Sequence, residues 1–349
     1  MAVPHPLAKT AAAFAAAVIG LLALVLAIVW RVGSPSPPAP APAAPADALA
    51  GAAFNPEPVA PLPQSLPLDA DKVTLGAKLF HDTRLSHDDS VSCATCHALD
   101  HAGVDGRRTA IGIGGQVGAI NTPTVFNSGF NFRQFWDGRA PTLEEQAAGP
   151  VHNPAEMGSN WPEVIGKLSE DHYYRNAFGH LYAGGVSAAA IKDAIATFER
   201  SLVTPDARFD RYLRGERNAL SEREMRGYRL FKELGCASCH QGINIGGNLF
   251  AGLGVFGDFF ADRGKDAPED QGRFNVTGQP ADRHFFKVPS LRNVARTAPY
   301  FHDGSMATLE DAVRAMGRYQ LGRELSQEEI ALIVEFLGTL TGNYQGEPL

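Results

Sequence analysis

The chain has 349 residues, room for one large domain or two ordinary ones, with the apolar share of a globular protein and four cysteines. It carries 31 basic against 38 acidic residues, a formal charge of −7, which excludes a general nucleic-acid binder. Mild acidity of this kind is compatible with docking a basic protein partner.

The first predicted element is a membrane segment, residues 1–32. Residues 10–30 carry no charge and are mostly Ala, Leu, Val and Ile; Lys9 precedes them and Arg31 follows. About 20 apolar residues suffice to cross a bilayer core as a helix, whereas the apolar core of a cleavable signal peptide runs to about 7–15. An uncleaved transmembrane anchor is the favoured expectation, and a signal peptide cleaved near Ala41-Pro42-Ala43 is the alternative. Both export the rest of the chain. Residues 33–67 are rich in Pro and Ala, a composition that favours extended polyproline II and buries no core. They read as a semi-rigid linker at ~3.1 Å per residue. The folded part is expected from Leu68.

From there the pattern is helical. Gly76-Ala77-Lys78-Leu79-Phe80 lies on a predicted helix running into the first cysteine pair. Ser187 starts a helix with Ile191, Ile195, Phe198 and Leu202 on one stripe. Ser221 and Glu224 form a capping-box start for a helix carrying Gly227-Tyr228-Arg229-Leu230-Phe231 into the second cysteine pair. Thr308 with Asp311 starts another, bearing Leu309, Val313 and Met316. Ser326 with Glu329 starts the last, with Ile330, Ile333, Phe336, Leu337 and Leu340. Gly-rich loops fill 103–118 and 242–278, and no run of alternating strands occurs.

All four cysteines occur as Cys-x-x-Cys-His, in Cys93-Ala94-Thr95-Cys96-His97 and Cys236-Ala237-Ser238-Cys239-His240. A disulfide framework gives no reason for a His after each pair. A zinc site would place the pairs about 15–20 residues apart, and a thioredoxin-type pair needs no His. Covalent c-type haem needs this spacing: two thiols add to two vinyl groups, and the adjacent His becomes an axial iron ligand. Two covalently bound haem c groups are therefore expected, held by Cys93, Cys96 and His97 and by Cys236, Cys239 and His240. The matching Gly-x-x-Leu-Phe flanks point to duplication. The expected fold is mostly α, with two cytochrome c-like domains, 68–215 and 216–349, and long loops.

Beyond the haem motifs the chain carries "NTPTVFN" (121–127), "FWDGRA" (135–140), "HNPAEMG" (152–158), "LVTPDARFDRYL" (202–213), "VPSLRNVARTAPYFHDGS" (288–305) and "AVRAMGRYQLG" (312–322). On these motifs the sequence from about Leu68 to Gly342 resembles the bacterial di-haem cytochrome c peroxidases. The resemblance implies a periplasmic enzyme that reduces hydrogen peroxide to water, here anchored to the inner membrane or soluble after cleavage. The electrons come from a small redox protein, a monohaem cytochrome c or a small copper protein. They enter at the C-terminal haem and pass to the N-terminal haem, where peroxide reacts.

The resemblance implies Met316 as the ligand opposite His240, and a thioether ligand raises the potential of an electron-entry haem. By position alone Met316 reads as a core residue. A related di-haem enzyme of methylamine utilisation is similar but has Tyr there. The resemblance also implies Glu156 as the group that moves a proton from the near peroxide oxygen to the departing one, Gln146 as a residue that orients peroxide, and Trp136 as the aromatic residue between the haems. Without it, these three read as a surface carboxylate or cap partner, an exposed amide and a core Trp. It further implies a homodimer and one calcium ion held by the side-chain oxygen of Asn121 and the carbonyls of Thr297 and Pro299, hard ligands of low charge. His302 is expected to hydrogen-bond a haem propionate or nearby backbone.

One position departs from the pattern. Many of these peroxidases resemble one another in a His in the loop after the first haem motif, which caps the resting N-terminal iron and leaves on reduction. Ile113 occupies that place and cannot ligate iron. Either the N-terminal haem is permanently open or another residue caps it; His101 is the nearest, and its competing reading is a solvent or propionate partner. Two further functions stand beside the peroxidase: a di-haem electron carrier, and an oxidase acting on another substrate.

Overall fold

Side-chain caps set the helices. In the computed structural model, which describes residues 57–349, the longer helices are α1 (Ala70–Phe80), α2 (Leu143–His152), α3 (Trp161–Glu170), α4 (His172–Leu181), α5 (Ala188–Ser201), α6 (Arg208–Leu213), α7 (Glu222–Glu233), α8 (Leu309–Gln320) and α9 (Gln327–Gly338). Ser187, Ser221, Thr308 and Ser326 each accept a hydrogen bond from the backbone N–H three residues on, at the four starts expected from sequence. Each cap satisfies an N–H that the helix itself leaves unpaired. Asp69, Thr142, Asn160 and Asp171 do the same for the helices of the first half.

Two helix crossings repeat. In the first half α1 packs on α5 at Gly76: a Cβ there would lie 2.0 Å from the Ala194 carbonyl oxygen and 2.7 Å from Phe198 Cβ. In the second half α7 packs on α9 at Gly227: a Cβ would lie 2.0 Å from the Leu332 carbonyl oxygen and 2.9 Å from Phe336 Cβ. Each glycine therefore lets two backbones touch, and each is followed by a buried Phe, Phe80 or Phe231, at the same offset. The Gly-x-x-Leu-Phe repeat marks the same helix crossing built twice.

The halves form one unit, Glu57–Leu349, and segments of each complete the other. Val59 and Leu62 are buried, and Val59 lies in the core of the second half with Phe209, Tyr228, Phe231 and Phe336. Gly242 N–H donates to the Pro58 carbonyl, and Arg292 bonds both the Ala60 carbonyl and Asp210. Packing among the described residues thus includes residues ahead of Leu68. Conversely, Tyr344 and Leu349 pack against Phe80, Val125, Phe126, Phe198 and Leu202 of the first half. Strands are few: β1 (Phe250–Gly252) pairs antiparallel with β2 (Phe285–Lys287), and β3 (Asn343–Tyr344) with β4 (Glu347–Pro348). The expected transmembrane segment and residues 33–56 of the linker lie outside the described residues. Among the described residues no helix is long and apolar enough to cross a membrane.

Candidate haem and peroxide site

Both Cys-x-x-Cys-His motifs fold into the same tight turn. Cys93–Cys96 is one helical turn closed by His97 N–H donating to the Cys93 carbonyl at 2.9 Å; Cys236 closes the same bond with His240 N–H at 3.0 Å. Ser92 and Thr95 brace the first turn through Ser92 N–H donating to Thr95 Oγ1 at 3.0 Å. None of the four cysteines is in a disulfide. Burial pushes the thiols up, to about 12 at Cys93 and about 11 at Cys96 and Cys236. Burial also lowers both histidines, His240 to about 4, so both rings are neutral, the state an iron ligand requires. His97 Nδ1 donates to the Gly103 carbonyl at 3.2 Å, which leaves Nε2 as the free ligating atom. His240 Nδ1 is buried without a hydrogen bond, with the carbonyls of Ile245 and Pro289 facing the ring.

A cavity of about 480 Å³ opens beside Cys96, within the range of cofactor pockets, ~300–1,000 Å³. It is walled by Val91, Thr95, Asp105, Arg107 and the loop from Ile111 to Gly115. That loop is clasped to the turn bearing Glu156. Ile113 N–H donates to the Glu156 carbonyl at 2.8 Å, and Gln116 Nε2 to the Pro154 carbonyl at 2.8 Å. A Cβ at Gly112 would lie 2.0 Å from the Ala155 carbonyl oxygen, so only glycine permits this approach. His101 is exposed, its ring against Gly106, and is not among the cavity's lining residues.

Glu156 follows α2. Asn153 Nδ2 donates to its Oε1 at 2.6 Å, yet burial dominates and raises the carboxyl above its ordinary value; Arg139 pulls the other way. Glu156 and Asp105 both bear on the Cys96 thiol electrostatically. The structure therefore brings Glu156 to the first haem motif. Gln146 is half-buried on α2 and its amide makes no hydrogen bond among the described residues. The sequence reading missed Phe135 and Arg139 although both lie in "FWDGRA". Phe135 takes φ +67° and abuts Gly149 of α2, and the Arg139 guanidinium stacks 3.4 Å from its ring centre. This stack sets a cation near Glu156.

Trp136 stands where the halves meet. Its Nε1 donates to the Asn121 carbonyl at 3.1 Å, its own carbonyl accepts from Lys287 N–H at 2.8 Å, and its ring lies 6.4 Å from that of His302. His302 is buried and donates from Nε2 to Asp270 at 2.7 Å while stacking on Phe286, so one partner of its ring is a carboxylate of the chain. Asn121 N–H donates to the His302 carbonyl, and Asn121 Nδ2 to those of Arg107 and Arg108. Asn121 Oδ1 is left for a further partner, and the carbonyls of Thr297 and Pro299 accept no hydrogen bond among the described residues. On α8, Leu309 and Val313 enter the core, whereas Met316 on the same stripe stays outside it and half-exposed. Its thioether is thus not consumed by packing. Among the described residues no cluster of three or more His, Cys, Asp or Glu side chains forms a metal site by itself.

Residues 70–218 match the sequence model of the di-haem cytochrome c peroxidase family. A cytochrome c peroxidase of Escherichia coli K12 is 55% identical over 82% of this chain and 62% of its own length. A cytochrome c551 peroxidase of Nitrosomonas europaea is 46% identical over 85% of this chain and 87% of its own. The chain belongs to the di-haem cytochrome c peroxidase family. The crystal structure of a MauG-like protein associated with microbial copper homeostasis superimposes with a TM-score of 0.71, at 31% identity, over 81% of this chain and 93% of that one. Members of this family carry two haem c groups, and the residues fit: two thiols and one neutral imidazole per turn, and a cavity beside the first. The chain spans less than two thirds of the E. coli protein it matches.

Proposed function

We propose that the chain reduces hydrogen peroxide to water with electrons from a small periplasmic redox protein, a monohaem cytochrome c or a small copper protein. Cys236, Cys239, His240 and Met316 would hold the C-terminal haem, where electrons would enter, and Cys93, Cys96 and His97 would hold the N-terminal haem, with Trp136 between the two segments. The observation that carries this reading is Glu156, a half-buried carboxyl whose charge bears on the Cys96 thiol of the first haem motif. The haems, when bound, supply the two electrons that O–O cleavage consumes and an open coordination position for peroxide. Glu156 takes the proton from the oxygen that stays and returns it to the one that departs as water. Asn153 fixes its Oε1, and Arg139 on the Phe135 face supports the charged form needed for the first transfer. Gln146 orients the peroxide. Two electrons and two protons per peroxide give two waters.

Three further assignments belong to this reading. Asn121 Oδ1 with the Thr297 and Pro299 carbonyls holds calcium, which ties the first-half loop to the Trp136 and His302 segment. The two haem halves are 68–215 and 216–349. The protein works in the periplasm as a homodimer on an inner-membrane anchor.

Replacement Glu156→Gln tests the mechanism. Peroxide turnover with a reduced cytochrome c as donor should fall ~10²–10⁴-fold, while pyridine-haemochrome assay still finds two haems. Unchanged turnover removes Glu156 from the mechanism. No peroxide reaction in wild type, with both haems reducible, would return the chain to an electron carrier.

A further inference from the structure

Lys287 is a largely buried residue whose ammonium has no partner in the described chain. It is 8% exposed, and its ammonium makes no hydrogen bond or ion pair among the described residues. Burial alone pushes it down to about 8, with no carboxylate near enough to hold it up. The anionic side chains of the neighbouring segments are committed elsewhere. Asp270 is held by Arg263 and His302, Asp303 by Arg263, and Asp210 by Arg292. A counter-charge brought to such a place offsets the cost of burying the ammonium.

Its place in the fold says which counter-charge. Lys287 ends β2, and its N–H donates to the Trp136 carbonyl. Val288 N–H donates to the Leu249 carbonyl, and the Val288 carbonyl accepts from Gly247 N–H, in the loop that follows the second haem motif. Two residues after Lys287, the Pro289 carbonyl faces the His240 ring. The Lys287 backbone therefore joins the Trp136 segment to the strand that runs on to the His240 ring. A haem brings two carboxylates of its own.

We propose that Lys287 anchors a propionate of the C-terminal haem and fixes a positive charge beside that haem. The charge favours the reduced iron and so biases electrons to enter there. Lys287 acts as a positioning residue; it does not touch peroxide. The inference rests on the two family haems and not on the peroxide chemistry, and potentiometry reads it without turnover.

The test is spectropotentiometric titration of the two haems in the holoenzyme, for wild type, Lys287→Gln and Lys287→Arg. In Lys287→Gln the equilibrium constant for reducing the C-terminal haem should fall about tenfold, or about 59 mV for one electron, with the N-terminal haem unmoved. Lys287→Arg should restore most of the shift. Should Lys287→Gln emerge without its second haem, retention of both haems in Lys287→Arg supports the anchor. An unmoved C-terminal potential, an equal fall at both haems, or equal loss of haem in both variants overturns it.

Discussion

Glu156 and Ile113 are joined through one backbone bond, and they decide different things. Burial raises the Glu156 carboxyl above its ordinary value. Below that raised value it is protonated and has no capacity to accept the first proton. The acid limb of kcat/KM for peroxide should therefore lie above the ordinary carboxylate range, and a pH profile that stays flat through that range contradicts the assignment. Ile113 packs its side chain against Gly158 and its N–H on the Glu156 carbonyl. The loop that carries the capping His in similar proteins is here pinned to the acid's own turn, with an apolar side chain. The fully oxidised enzyme is expected to show a high-spin ferric N-terminal haem without prior reduction; EPR with two low-spin signals and no high-spin component refutes this. The haem turns were legible because cysteines, His and closing hydrogen bond all fall within five residues. That Ile113, a residue unable to ligate iron, stands where the resemblance implies a capping His was legible too. The clasp was not, because Gly112 meets Ala155 across 43 positions of chain. Lys287 carried no signal at all, since its meaning lies in the absence of a neighbour.

At the level of elements, helix starts were legible from their caps, while the crossings needed the structure. Gly76 and Gly227 have no room for a methyl group, so Gly76→Ala and Gly227→Ala should each cost about 1–3 kcal/mol in overpacking. Urea unfolding checks this, and variants as stable as wild type would mean that the crossings are looser than described. Helix α5 also carries Glu199, buried without a hydrogen bond and raised by burial to about 8 from 4.5. Between these values the unfolded chain is ionised and the folded one is not. Stability should therefore be full below about pH 4.5 and decline as pH rises to about 8. Glu199→Gln should flatten that part of the stability–pH curve; an unaltered slope argues that Glu199 is charged in the fold.

For the molecule as a whole, duplication was legible but the segments each half lends the other were not. Two cytochrome c-like halves were expected, and the polyproline-like composition placed residues 57–67 in the linker. Instead Val59 is a core residue of the far half and Leu62 is buried, because apolar side chains spaced among prolines still bury when a groove awaits them. Removal of residues 343–349 should raise amide hydrogen exchange in α1 and α5, against which Tyr344 and Leu349 pack, and leave α7 and α9 unchanged. Equal protection in α1 and α5 would show that this strap is dispensable. The crossed segments also order events during biosynthesis. A nascent chain appears in sequence order, so Val59 waits for the Gly242 loop, and the α1–α5 pair waits for Tyr344. Neither half can therefore complete its packing until the last residues have emerged.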